Sequence, residues 1–176
     1  MAPGKLRRFL QSLRPKRALN FVNKSGAVRL RIPTVAIETI NRLCTGSGDL
    51  ETGGILIGHY VDSNNVAVVD EIVSAPLDSA RTRSSFERGV EGLPDLLGRR
   101  WLNDQHYVGD WHSHPNSSPK ASLTDLESLG RISNNPEMYC PNPVLLIMGS
   151  AGAIFVATKQ DGELRLMRQK FPSTPR

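Results

Sequence analysis

The chain has 176 residues, of which 39% are hydrophobic and 22% are charged, the ordinary balance of a soluble globular protein. Its length favours a single domain with a sizeable core. No apolar run approaches the roughly 18 residues of a transmembrane helix, and no signal-peptide core follows the basic N-terminus. The sequence therefore excludes a membrane-spanning helix and predicts a cytoplasmic protein.

The net charge of +5 is concentrated at the N-terminus. Residues 1–17 contain six basic residues and no acidic one, so the remaining 159 residues carry a balance of −1 and do not form a basic nucleic-acid surface. The N-terminal segment is either a solvated tail or a docking arm for an acidic protein, a nucleic acid or a membrane surface. The chain divides into a basic arm, a globular domain and a short C-terminal tail: residues 1–17, 18–170 and 171–176.

Apolar periodicity and turn residues predict a mixture of strands and helices. The predicted strands are residues 18–22, 27–32, 55–61, 66–74, 105–112, 144–148, 154–158 and 164–169. The predicted helices are residues 34–45, 90–102 and 122–133. Hairpins outnumber regular βαβ units in this order, which places the chain in the α+β, or mixed α/β, class.

The segment Gly-Asp-Trp-His-Ser-His-Pro, at residues 109–115, ends a predicted strand. Residues i and i+2 of a strand point to the same side, so His112 and His114 can face one point. Asp125 follows in the first turn of the next predicted helix. Two imidazoles and a carboxylate are a common ligand set for catalytic zinc, with a fourth position open for water. The alternative role for Asp125 is a capping box with Ser122.

Together these residues form the pattern H-x-H-P-x6-S-x-x-D, which resembles the JAMM motif of the MPN family of zinc metalloproteases. That family also has a glutamate upstream, before a strand and followed by small residues, and Glu51-Thr-Gly-Gly matches this element. The resemblance covers roughly residues 28–160. It implies one bound Zn²⁺ ion and a curved mixed β-sheet flanked by helices, the MPN/JAB (cytidine-deaminase-like) architecture.

The resemblance also implies roles for these residues. His112, His114 and Asp125 hold the ion, which lowers the pKa of a water at its open position to about 7. Glu51 takes the proton of that water and later delivers it to the leaving amine, although a glutamate alone at such a position is more typical of a solvated loop. Ser122 caps its helix, holds the oxyanion of the tetrahedral intermediate, or does both.

Because side chains alternate along a strand, the residues next to the candidate ligands fall on two faces. Trp111 and Ser113 alternate away from the ligand face, so Trp111 is assigned to the core and Ser113 receives no role. Asp110 shares the ligand face, either as a partner of a ligand histidine or as a surface carboxylate. His59 and His106 lack a further ligand at metal spacing and are assigned structural or surface roles.

The two cysteines, Cys44 and Cys140, lie far apart in sequence. Neither belongs to a CxxC motif, so the pattern is typical of two reduced thiols in a cytosolic protein. A meeting of the two in space is left open.

The polar segment 76–89 is either a plain connector or, as the resemblance implies, a loop that lines the substrate groove. Ser84, Ser85 and Phe86 are its candidate substrate contacts, and residues 82–86 are a candidate edge to which an extended tail adds as a strand. Enzymes of the family usually hydrolyse an isopeptide or peptide bond after the C-terminal tail of a ubiquitin-like protein.

The compact chain resembles bacterial JAB-type deconjugating peptidases from ubiquitin-like and cyclic-oligonucleotide (CBASS) anti-phage operons. This resemblance implies a ubiquitin-like or C-terminally conjugated protein as substrate, with nucleotidyltransferase-like and conjugating-enzyme-like proteins as partners. The alternatives are a non-catalytic MPN scaffold, a peptidase that matures a sulfur-carrier protein, a zinc hydrolase of small peptides, and a nucleic-acid binder acting through residues 1–17. The complete ligand set argues against the scaffold.

Overall fold

A computed structural model describes residues 17–171, so most of the predicted arm and tail lies outside the described residues. The strands are β1 (Ala18–Val22), β2 (Arg29–Pro33), β3 (Gly53–Val61), β4 (Val66–Ser74), β5 (Ala80–Arg81), β6 (Phe86–Glu87), β7 (His106–Ser113), β8 (Val144–Met148), β9 (Ile154–Gln160) and β10 (Glu163–Lys170). The helices are α1 (Thr34–Ser47), α2 (Leu93–Trp101) and α3 (Leu123–Ser133), and Pro136–Met138 and Ser150–Gly152 form short 3-10 turns.

Eight of these strands form one closed sheet in the order β1-β10-β9-β8-β7-β3-β4-β2. The pairs β2–β4 and β7–β8 are parallel and the others are antiparallel. A mixed sheet with helices was predicted and is found. The curved sheet expected from the resemblance is in fact closed, because the β1–β2 hairpin pairs with β10 on one side and with β4 on the other. No local pattern in the sequence reports that long-range pairing.

Helix α1 supplies one wall of the main core and leads the chain to the site. Ala36, Ile37 and Ile40 are buried against apolar residues of the sheet, including Trp111, which is fully buried as predicted. The helix ends at Gly48, whose φ of 60° lies in the left-handed region that a helix cannot continue. The chain then turns back through Glu51 into β3.

Helix α2 begins at Leu93, three residues later than the sequence predicts. Gly92 has a φ of 72°, outside the helical region, and Pro94 stands in the first turn, where its missing N–H costs nothing. The Asp78 carboxylate accepts hydrogen bonds from the N–H groups of Val90 and Glu91 at 2.9 and 3.1 Å. Residues 90–92 therefore form a turn that fixes the helix start.

Helix α3 packs against β8 and β9. Leu129 lies in a cluster with Leu145 and Ile147 of β8 and Ala157 of β9. Because β8 runs parallel to β7, with His112 opposite Ile147, this packing brings the start of α3 beside the end of β7. In residues 17–171, no helix combines the length and the apolar character needed to cross a bilayer.

Candidate active site

Three ligand-type side chains from β7, the following loop and α3 converge at the end of β7. The Nε2 atoms of His112 and His114 lie 3.2 Å apart, and Asp125 Oδ1 lies 3.7 Å from His112 Nε2. One donor atom from each residue fits within a group no wider than 4.8 Å. Tetrahedral ligands about 2.0–2.1 Å from Zn²⁺ are separated by about 3.3 Å. The residues therefore fit the ion that the sequence predicts.

Both histidines direct their Nε2 atoms to this point. Burial lowers the pKa of His112 to about 4, with Asp125 opposing the shift, so the imidazole is neutral at pH 7. His114 Nδ1 lies 3.3 Å from the carbonyl oxygen of Ser118, to which it donates in the tautomer that leaves Nε2 free. Such a contact fixes both the tautomer and the ring orientation of a metal ligand.

Asp125 serves the helix and the site with different oxygens. Its Oδ2 accepts from the Ser122 N–H and from the Ser122 hydroxyl, both at 2.7 Å, while Ser122 Oγ accepts from the Asp125 N–H at 3.2 Å. This is the capping box that the sequence suggested as the alternative role for Asp125. Asp125 Oδ1 remains directed toward His112, so capping does not exclude metal binding. The Ser122 proton is engaged with Asp125, so stabilising an oxyanion requires its hydroxyl to rotate.

Glu51 reaches the same site from the loop before β3. Its Oε1 lies 3.8 Å from His114 Nε2, and its side chain is 11% exposed. Burial raises the pKa of Glu51; the nearby His114 opposes this rise, and Asp125 adds to it. A carboxylate beside the ligand set, with its pKa raised by burial, is placed where a general base would be.

The glycine pair after Glu51 is required by close packing. A Cβ at Gly53 would overlap the Phe86 ring and the Trp111 carbonyl, and one at Gly54 would overlap the Val73 carbonyl. Gly53 pairs with His112 and Gly54 with Trp111 in the β3–β7 ladder. These two residues let the strand that follows Glu51 lie directly against the strand that bears the histidines.

The segment predicted as a connector or groove loop forms the β5–β6 hairpin beside the site. Ser84, Ser85 and Phe86 line a cavity of about 580 Å³ that also contains Glu51 and the three ligand residues. The Thr82 carbonyl accepts from the Glu51 N–H at 2.8 Å, which ties the hairpin to the candidate base. Residues 82–85 form the hairpin turn, so the candidate edge strand within 82–86 is limited to Phe86.

A second cavity of about 700 Å³ lies between this hairpin and α3. It shares Ser85, Phe86, His112, Thr124 and Asp125 with the first, so the two cavities meet at the ligand set. Asp110 lines its floor and accepts from Arg88 Nε at 3.1 Å, rather than bonding to a ligand histidine. Burial raises the pKa of Asp110, and Arg88 opposes the rise. The Arg88–Asp110 pair was not predicted, because residues 22 apart carry no local signal of contact.

The remaining histidines and cysteines stay outside the site. His59 Nδ1 contacts Asp70 at 2.8 Å and His106 Nε2 contacts Asp104 at 3.3 Å. The His112–His114–Asp125 set is the one metal-type cluster in residues 17–171. Both cysteines are free thiols.

The structure thus brings together Glu51, Ser122 and the three predicted ligands in one cavity with the hairpin residues. Sequence reasoning missed Ser113, which is 1% exposed and whose hydroxyl accepts from the Thr52 N–H at 3.0 Å. Strand alternation correctly predicted that Ser113 points away from the ligands, but it gives no information on which residues lie on the other side of the strand.

The fold and the site define a family. Residues 34–168 match the model of the prokaryotic homologs of the JAB domain, and the chain belongs to this family. The solution structure of a Desulfitobacterium hafniense protein has the same fold, with a TM-score of 0.57 and 15% identity over 77% of this chain and 87% of that one.

Curated relatives give the family membership a chemical context. The chain is 38% identical over 131 residues to a CD-NTase/cGAS isopeptidase of Enterobacter hormaechei, covering 74% of this chain and 73% of that protein. It is 34% identical over 121 residues to a probable metalloprotease of Sinorhizobium fredii, covering 66% and 73%. A second CD-NTase/cGAS isopeptidase, from Pseudomonas aeruginosa, is 28% identical over 68% of this chain and 76% of its own length. These relatives support a hydrolase of the JAB type.

Proposed function

We propose that the protein is a zinc-dependent isopeptidase that hydrolyses the amide bond after the C-terminus of a conjugated protein. The observation that carries the proposal is the placement of Glu51 beside the ligand set, with Oε1 at 3.8 Å from His114 Nε2. Glu51 lies beside the set without being one of the three residues whose ligand atoms lie within 4.8 Å of one another, so it is placed to hydrogen-bond a water at the site rather than to complete the ligand set. A scaffold that only bound partners would not need a buried carboxylate at this point.

The residues of the site divide the reaction among them. His112, His114 and Asp125 would hold the ion, which when bound acidifies a water and polarises the amide carbonyl. Glu51 accepts a proton from the water as the water oxygen attacks the carbonyl carbon. Glu51 then returns that proton to the amide nitrogen as the C–N bond breaks, which leaves a carboxylate and a free amine. The Ser122 hydroxyl, once turned from Asp125, donates to the oxyanion.

The two cavities that meet at the ligand set suit a substrate that passes through the site. We assign the cavity of about 700 Å³, between the hairpin and α3, to the extended tail on the carbonyl side of the scissile bond. The cavity of about 580 Å³, with Ser84 and Ser85 at its rim, then takes the amine side. Phe86 lines both, so it contacts the substrate near the scissile bond.

The relatives named CD-NTase/cGAS isopeptidase support a proposal for the substrate class. We infer that this chain releases a protein joined through the C-terminus of a CD-NTase-like nucleotidyltransferase, within an anti-phage operon that also encodes conjugating-enzyme-like proteins. A ubiquitin-like protein is the second substrate to test, because it also ends in an extended C-terminal tail of the kind that a sheet edge binds.

The test uses two fusion proteins, each with GFP joined by an amide bond to the C-terminal tail of its carrier. One carrier is a CD-NTase and the other is a ubiquitin-like protein. We expect the zinc-loaded wild type to release GFP from the CD-NTase fusion. Glu51→Gln should lower the rate by at least about a hundredfold while retaining zinc, the usual scale for loss of a general base. His112→Ala should lose zinc.

Three results would contradict the proposal. Cleavage by Glu51→Gln at the wild-type rate would remove the general base. Zinc retained by His112→Ala would remove the ligand assignment. No cleavage of either fusion by a zinc-loaded, folded wild type would leave a binding module in place of an enzyme.

A further inference from the structure

Ser113 lies between the two candidate ligand histidines and faces the opposite side of β7. Its side chain is buried, at 1% exposure, and its hydroxyl accepts a hydrogen bond from the Thr52 N–H at 3.0 Å. The Ser113 N–H in turn donates to the Thr52 carbonyl at 2.8 Å. Thr52 is therefore bound to this serine through its amide and through its carbonyl.

The hydroxyl completes a hydrogen-bond set that the sheet alone does not supply. Strand β3 begins at Gly53, so the Thr52 N–H lies just outside the regular ladder. Thr52 is 5% exposed, and a buried N–H without an acceptor is costly. The preceding N–H, that of Glu51, donates to the Thr82 carbonyl at 2.8 Å. The peptide units on either side of the Glu51 Cα are thus held by two different elements.

We propose that Ser113 is a positioning residue, which fixes the Glu51 carboxylate relative to the ligand set through Thr52. This inference rests on the proposed function, since it assigns Ser113 a part in the same reaction. The strand that carries His112 and His114 also carries the group that holds the base, so both halves of the site share one support. A side chain without an acceptor at position 113 frees the Thr52 amide and lets Glu51 shift. A misplacement of about 1 Å in such a site costs about a hundredfold in rate.

The first measurement separates positioning of the base from support of the ligands. Ser113→Ala is compared with wild type on whichever of the two GFP fusions wild type cleaves faster. We expect kcat to fall about 10–100-fold, the usual cost of losing a supporting hydrogen bond, with KM changed by less than about threefold. Zinc affinity, from competition with a chelator, should change by less than about threefold. A parallel loss of zinc affinity and kcat would show that the serine supports the histidines, and would overturn the proposal.

The second measurement asks whether Ser113 acts through Glu51. In a Glu51→Asp background, the shorter carboxylate has already lost its position, so adding Ser113→Ala should lower kcat by less than about threefold. Equal effects of Ser113→Ala in both backgrounds would show that the two residues act independently, and would refute the inference.

The third measurement needs neither zinc nor substrate. Hydrogen exchange of the Thr52 amide, followed by NMR on the zinc-free protein, should accelerate at least about tenfold in Ser113→Ala. The matched control is Thr158→Val, because Thr158 is also 1% exposed but its hydroxyl has no hydrogen-bond partner. Unchanged Thr52 exchange in Ser113→Ala, or equal acceleration in the control, would contradict the tether.

If Ser113→Ala loses its cooperative thermal transition, Ser113→Cys replaces it, because a thiol leaves no cavity and is a weaker acceptor than a hydroxyl. The same comparisons then apply. If wild type cleaves neither fusion, the proposed function fails, and the amide measurement alone decides whether Ser113 holds the Thr52 segment.

Discussion

At the scale of single residues, one carboxylate contacts both the helix start and the candidate ligands. Asp125 uses Oδ2 to cap α3 and directs Oδ1 toward His112. Ser122 completes the cap, and its hydroxyl would have to turn from Asp125 to reach the proposed oxyanion. Because one carboxylate joins the helix start to the ligand set, the orientation of α3 and the geometry of the site are set together.

The two roles of Asp125 are separable by substitution. Asp125→Asn keeps an oxygen that can accept from the Ser122 N–H but loses the ligand charge, whereas Asp125→Ala loses both. We expect both variants to bind zinc at least about tenfold more weakly. Only Asp125→Ala should lose the half of the capping box in which Oδ2 accepts from Ser122, at a cost of about 0.5–1.5 kcal/mol, measured by urea unfolding of the zinc-free protein. Equal stability of the two variants would show that these hydrogen bonds contribute nothing.

The two thiols should differ in reactivity. Burial raises the pKa of Cys140 to about 12, so about one thiol in ten thousand is ionised at pH 8. Burial also raises the pKa of Cys44, but the neighbouring Ser113 hydroxyl opposes that rise and the residue is only half-buried. We expect iodoacetamide at pH 8 to modify Cys44 at least about tenfold faster than Cys140, as followed by mass spectrometry.

The pH dependence of Cys140 modification is the control for this difference in thiol reactivity. In Cys44→Ser, the rate of Cys140 modification should rise about tenfold per pH unit up to the raised pKa, because the thiolate is the reacting form. A rate for Cys140 that levels off near pH 9 would show an ordinary, exposed thiol.

At the scale of elements, the site depends on how closely β3 approaches its neighbours. The β5–β6 hairpin packs on the start of β3, with the Phe86 ring against Gly53. The hairpin therefore lines the cavity and covers the strand that follows the candidate base. A segment described by sequence as a polar connector becomes a wall of the site through two short strands.

Gly54→Ala tests this close approach. Its Cβ would overlap the Val73 carbonyl, a backbone atom that cannot rotate away, so we expect a loss of about 1–3 kcal/mol in the free energy of unfolding. Gly98→Ala is the matched control. Gly98 lies inside α2, and a Cβ there would have no neighbouring atom within 4 Å, so the substitution should stabilise the protein by about 0.5–1 kcal/mol. Denaturant unfolding of both variants measures the difference; a neutral Gly54→Ala would show that the strands can separate without cost.

At the scale of the whole molecule, closure of the sheet supports the site. The β1–β2 hairpin joins β10 to β4, so no strand of the main sheet is left as an edge. Strands β3, β7 and β8, which position the site, lie on the side of the closed sheet away from β1. The predicted arm precedes β1, and we expect the described pairings, all between residues 18 and 170, to form without it.

Removal of residues 1–16 tests that independence. The deletion takes away five basic residues and brings the net charge from +5 to 0, while Arg17 remains and its carbonyl still accepts from the Thr34 N–H at 2.8 Å. We expect the free energy of unfolding to change by less than about 0.5 kcal/mol and the cleavage rate on the GFP fusions to stay the same. A large loss of stability would show that the arm is part of the fold.

The sequence by itself determined most of the long elements and the choice of candidate ligands. The limits of β1, β4 and β8 follow from apolar alternation and turn residues, and His112, His114 and Asp125 follow from spacing, because both signals depend on neighbours within a dozen residues. The convergence of Glu51 on that set, 61 residues away, was predicted only through the family resemblance.

Tertiary structure alone decided the rest. The closure of the sheet, the Arg88–Asp110 pair, the hairpin wall and the hold of Ser113 on Thr52 each join groups from separate elements. Such contacts depend on how the strands pair across the sheet, and a residue's local pattern is the same whichever partner it meets. The sequence therefore shows which side chains can do the chemistry, and the pairing of strands determines what holds them in place.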